Sequence, residues 1–226
     1  MIRRASAEFI GSALLAALVI GSGIAAQTLT PGDTGLQLLE NAFATALGLP
    51  VLILIFATVS GSHFNPVVSL VEAALGHRSW RDVAAYMPAQ IIGCLAGAIL
   101  ANLMFGLPAV SISTTDRFSW PHLLAEVVAT AGLVLVIFAL ARTGRGSVIP
   151  WAVGAYIGAA YFFTSSASFA NPAITIGRTI SDTFAGIAPA SAPGYIAAQL
   201  VGGALGLLLV RGFFGRSAQA AGHDQQ

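Results

Sequence analysis

Along the chain, six apolar runs of about bilayer-crossing length alternate with short polar links, at about residues 6–26, 37–59, 83–104, 121–142, 149–168 and 193–213. The links run from Gln27 to Gly35, Gly106 to Trp120, Thr143 to Ser147 and Arg178 to Pro193. Two further polar stretches break the apolar pattern: Ser60-Gly61-Ser62-His63-Phe64-Asn65-Pro66-Val67 and Ser166-Ala167-Ser168-Phe169-Ala170-Asn171-Pro172-Ala173. Each is followed by helix-compatible sequence, residues 65–75 and 171–180, of about three turns. Asn is a good N-cap, and Pro is tolerated at the first helical position because its missing N–H would be unbonded there anyway. The pattern therefore predicts an all-α membrane protein with six transmembrane helices and two re-entrant half-helices that begin near mid-membrane.

Composition agrees: 56% of residues are hydrophobic and 8% charged, and the mean hydropathy is +0.83, which excludes an ordinary soluble domain. A net charge of +1 offers no basis for nucleic-acid binding. One cysteine, Cys94, rules out an internal disulfide, and four scattered histidines supply no ligand-spaced metal cluster. No cofactor is expected. No His-Glu-x-x-His and no Ser or Cys beside a base occurs, so an enzyme is not expected either. Arg3 and Arg4 before an apolar run look superficially like a signal peptide. That run is as long as a full span and five more follow, so it is read as retained. Residues 215–226 are expected to form a disordered cytoplasmic tail.

Six spans put both termini on one side. Arg3, Arg4, Arg78, Arg81, Arg142, Arg145, Arg211 and Arg216 fall on that side, and only Arg117 and Arg178 on the other. The positive-inside rule then places the termini in the cytoplasm, and the cell inner (plasma) membrane is the expected location. The halves also repeat within a single domain, about 1–108 and about 118–214. Ala7-Glu8-Phe9-Ile10 is echoed by Ala125-Glu126-Val127-Val128, and Tyr86-Met87-Pro88-Ala89-Gln90 by Tyr195-Ile196-Ala197-Ala198-Gln199. Gly93-x-x-x-Gly97 matches Gly202-x-x-x-Gly206, and the Asn-Pro pairs lie 106 positions apart. Three spans per half make the second copy inverted, an arrangement that places a transport site at the midplane. Two half-helix N-termini meeting there oppose cations, each end carrying about half a charge.

These motifs resemble the aquaporin (major intrinsic protein) family over essentially the whole chain. The resemblance rests on the two Asn-Pro motifs, the Ser-Gly-x-His-Phe before the first, the Ala-Glu starts of spans one and four, and the paired Gln90 and Gln199. It implies one pore per chain, a homotetramer in the lipid bilayer, and passage of water and small neutral solutes. Asn65-Pro66-Val67 and Asn171-Pro172-Ala173 would supply the pore donors. Glu8, Glu126, Gln90, Gln199 and His63 are read as support for the re-entrant backbone.

In most members an arginine follows the second Asn-Pro-Ala; here that position is Ile174. Ungapped spacing puts the other filter positions at Thr45, Ala159 and Ser168, so the filter is expected to be wider and less polar. Arg178, one turn beyond Ile174, is expected in the external vestibule or snorkelling outward. Val67, in place of alanine, is expected to add bulk beside Asn65. A filter without arginine and an Asn-Pro-Val motif resemble the arsenic-resistance-associated branch of bacterial aquaglyceroporins, which implies arsenous acid as well as glycerol-like solutes. The alternatives are a water-selective pore, a proton-coupled or ion-conducting transporter using Glu8 and Glu126, and a closed structural protein.

Overall fold

Helices start where the sequence supplies caps. In the computed structural model, which describes residues 1–215, the chain forms α1 (Ile2–Leu29), α2 (Thr34–Phe56), α3 (Pro66–Ala74), α4 (Trp80–Met104), α5 (Trp120–Arg142), α6 (Ile149–Phe163), α7 (Pro172–Gly177) and α8 (Ala192–Phe214). Asp33 accepts from the Leu36 amide at 2.9 Å, Ser79 from Asp82 at 3.1 Å and Ser119 from His122 at 3.4 Å. Each cap satisfies a first-turn amide that has no partner within its helix. Six helices are long and apolar enough to cross a membrane, and no strand occurs among the described residues. The tail expected beyond Gly215 lies outside the described residues.

Two element ends differ from the sequence pattern. The fifth span stops at Phe163 rather than 168, because Thr164 turns extended (φ −111°, ψ 136°). The second half-helix is α-helical over only six residues, Pro172–Gly177, and reaches the expected residue 180 through a tighter 3-10 turn, Arg178–Ile180.

The repeat is visible in the packing. Helix α1 lies along α4, and α5 along α8. A Cβ on Gly202 would come within 2.5 Å of the Val127 carbonyl oxygen, and one on Gly206 within 2.8 Å of Ala131's. Gly93 and Gly97 meet the backbone carbonyls of Phe9 and Ala13 in the same way. Lipid gives little hydrophobic drive for helix association, so this close approach is where van der Waals contact is gained. Helix α2 lies against α6, where Gly158 would place a Cβ 2.7 Å from that of Ala46. Both half-helices, α3 and α7, pack against α4 and α8, which holds the two Asn-Pro starts together at the centre of the bundle.

Candidate functional site

The loops that deliver the two asparagines are built alike, from backbone that helices and strands do not use. Ser62 and Phe64 in the first loop, and Ser168 and Ala170 in the second, have φ of 54°, 49°, 46° and 47°. Left-handed backbone costs a residue with a side chain on the order of 1–3 kcal/mol, so something nearby must hold it. A buried carboxylate does so in each half. Glu8 accepts from the Ser60 hydroxyl, the amides of His63 (3.0 Å) and Phe64 (2.7 Å), and Gln90 Nε2 (2.7 Å). Glu126 accepts from the amides of Phe169 and Ala170, both at 2.9 Å, and from Gln199 Nε2 at 2.6 Å. Neither carboxylate is exposed, and neither lines the central cavity.

Each asparagine caps its own half-helix and reaches across to the other loop. Asn65 Oδ1 accepts from the Val67 amide at 2.9 Å, and its Nδ2 donates to the Ala170 carbonyl at 2.8 Å. Asn171 Oδ1 accepts from Ala173 at 2.9 Å, and its Nδ2 donates to the Phe64 carbonyl at 2.8 Å. An amide nitrogen carries two hydrogens. One is used in this exchange, which leaves a second N–H on each side chain, and both asparagines line the cavity.

That cavity has a volume of about 250 Å³ and passes both asparagines. On the side of the chain termini its lining includes Gly61, His63, Glu72 and His77; on the opposite side it includes Ser168, Phe169 and Arg178. Between them the walls are largely apolar, from Leu15, Leu49, Leu133, Val153 and Ile157. Water or a hydroxylated solute entering this passage meets few groups that compete with the asparagine donors.

Thr45, Ser168 and Ile174 line the cavity, as do Asn65, Asn171 and His63. Ala159 does not: it lies on the exposed outer face of α6. Counting back through the irregular segment between Phe163 and Asn171 misjudges the helix face. Packing sets that face instead. Gly154 and Gly158 sit on Pro50 and Ala46 of α2, which turns Val153, Ile157 and Tyr161 inward at helical spacing. The α6 contribution beside Thr45 is therefore Tyr161, whose hydroxyl lies 3.2 Å from Thr45 Oγ1. An i, i+4, i+8 count from Val153 was the signal available for it.

Val67 does not crowd the passage either. Its side chain turns to α8, where Gly203 leaves room for it, and joins Val68, Val71, Val134 and Val210. Nor does Arg178 snorkel outward: it is 3% exposed and lines the cavity.

Glu72 is a second residue that motif reading passed over. It lies on the same helix face as Asn65 and Val68, and it binds His63 Nε2 and Arg78 Nε, each at 2.7 Å. His63 Nδ1 meets Ser69 Oγ at 2.8 Å, so the ring ties its loop to α3. A carboxylate inside a re-entrant helix was the available signal. Beyond the membrane-spanning segments, the Ser191 hydroxyl and the Phe118 amide hold the exposed Asp116 carboxyl below the usual carboxylate range.

Comparison with known proteins places the chain among channels. The family profile described as Major intrinsic protein matches residues 1–170. Over 209 residues the sequence is 48% identical to the protein named aquaglyceroporin AqpS of Rhizobium meliloti (strain 1021), covering 92% of this chain and 89% of that one. It is 30% identical over 188 residues to the probable aquaporin TIP1-2 of Oryza sativa subsp. japonica, covering 79% and 75% of the two chains. In fold it is similar to the X-ray structure of the aquaglyceroporin from Plasmodium falciparum. That match has a TM-score of 0.65 at 19% identity and covers 100% of this chain and 99% of that one.

Proposed function

The chain belongs to the major intrinsic protein family, whose members are channels and not enzymes, and from that membership we propose a passive conduit for water and small neutral solutes, arsenous acid and glycerol among them. Ile174 carries this reading. It lines the cavity just beyond Asn171, at the position where an arginine would narrow the pore and add a fixed charge. Selection in such passages comes from diameter, lining donors and electrostatic barriers, and an aliphatic residue there relaxes all three. A trihydroxylated molecule can accept from the free N–H groups of Asn65 and Asn171, and its neutrality spares it the field of the half-helix ends.

Proton coupling through Glu8 and Glu126 has less support, since their oxygens are occupied by backbone and glutamine donors away from the cavity. The distribution of arginines supports cytoplasmic termini in the inner membrane, and the family resemblance supports a homotetramer.

Tyr161 favours a second reading. Its ring occupies lining that the sequence assigned to a small Ala159, and so narrows the passage toward a water-selective pore. Stopped-flow light scattering on proteoliposomes, comparing water, glycerol and arsenous acid, separates the two. The wide-pore reading expects solute flux that Ile174→Arg abolishes while water still passes. Fast water flux with no solute flux establishes the narrow one.

A further inference from the structure

The cavity mouth opposite the termini holds a cation with no counter-ion. Arg178 is buried, yet it lines the cavity one turn, about 6 Å, beyond Ile174. Its guanidinium carbon lies 3.4 Å from the centre of the Phe169 ring, and its Nε donates to the Ala185 carbonyl. These contacts fix the plane of the group.

Neither Nη nitrogen donates to any described residue, and neither is sealed from the cavity. Arg117 approaches the same ring, 5.5 Å from its centre, and is held by the carbonyls of Gly186 and Phe184. Neither arginine joins an ion pair among the described residues. The nearby acids are engaged elsewhere: Asp116 with Ser191, Asp182 with Thr114, and Glu126 with the loop amides.

We propose that Arg178 is the specificity-determining residue of this mouth, rejecting cations by its unpaired charge and offering its Nη pair to the oxygens of a neutral hydroxylated solute. Three observations combine. Position 174 carries no charge. The second half-helix is only six residues long, so its end opposes cations less than a full helix would. And the rigidly held Arg178, on the lining beyond Ile174, keeps both Nη nitrogens without a partner among the described residues. Because the charge sits a turn farther out, it guards the entrance without closing the passage beside Thr45 and Ile174. Cation rejection rests on the channel reading above alone, and the donor role rests also on passage of a hydroxylated solute.

Full-length protein in proteoliposomes tests it, with an internal pH dye reporting protons driven by a potassium diffusion potential, and light scattering reporting water and glycerol. Arg178→Gln that elutes as a monodisperse species is expected to admit protons faster than wild type by about tenfold, as for a pore that loses one fixed charge. Arg178→Lys keeps the charge but gives up the fork. It is expected to stay proton-tight while its ratio of glycerol to water flux falls. The double variant Ile174→Arg/Arg178→Gln moves the charge one turn inward and is expected to restore exclusion.

Folded Arg178→Gln that is as proton-tight as wild type would overturn the proposal. So would Arg178→Lys that leaks protons or keeps the wild-type flux ratio, and so would equal loss of all flux in both, the result of a purely structural role. If Arg178→Gln does not fold, the lysine variant decides alone. Wild-type liposomes that pass water but not glycerol would defeat the wide-pore reading and leave the proton comparison intact.

Discussion

A carboxylate at lipid depth is costly unless hydrogen-bond donors surround it. Glu8 and Glu126 are saturated, and their partners are the backbone amides that hold Phe64 and Ala170 in left-handed conformation. Glu126→Leu would strand the buried amides of Phe169 and Ala170 and one of the two Gln199 Nε2 hydrogens, the other staying on Thr175, at about 1–3 kcal/mol for each unpaired group. Loss of most folded protein is expected, with Glu126→Gln intermediate; a leucine variant with wild-type thermal stability in detergent would contradict the assignment. Cys94 is fully buried against Gly177 and Ser12 rather than on the cavity wall. Wild-type water flux is therefore expected to resist mercurials, and inhibition that a Cys94→Ser variant abolishes would place the thiol within reach of the passage.

Which side chains do this work was legible wherever a local motif carried it. Asn65 and Asn171 announce themselves by capping chemistry, and Glu8 and Glu126 by being charged within apolar runs. Ala159 was misplaced and Tyr161 overlooked because helix α6 is separated from Asn171 by non-helical residues, and spacing across such a segment does not preserve a helix face.

The starts of the two half-helices are marked more plainly in the sequence than their ends. Asparagine and proline name a start directly, whereas no run of hydropathy marks where α7 tightens into the 3-10 turn Arg178–Ile180. The glycine pairs have a plain role in the α1–α4 and α5–α8 crossings, where a side chain would drive into the facing backbone. Gly97→Leu is expected to cost about 2 kcal/mol or more through overpacking. The expected readout is a lower aggregation temperature in detergent, with Gly212→Ala, which faces open space, as the unaffected control.

The two halves superpose their chemistry across an inverted repeat: matching carboxylates, matching glutamines, matching positive-φ loops and asparagines that exchange hydrogen bonds. That arrangement requires α1 to cross the bilayer, with Ser6 and Gly32 on opposite sides. Membrane-impermeant labelling of single cysteines introduced at Ser6 and at Gly32, in a Cys94→Ser background, is expected to react from opposite faces. Labelling of both from the same face would break the topology.

By itself the sequence determined membrane residence, six crossings, two re-entrant starts and the repeat. These follow from hydropathy, capping and charge distribution, which are properties of contiguous residues or of simple counts. Only the tertiary structure decided which face of α6 meets the passage, that Val67 turns to Gly203, and that Arg178 folds inward onto Phe169 with its donors free. Those outcomes depend on the shapes of residues far apart in the chain, brought together once the helices pack, and no local pattern carries that information.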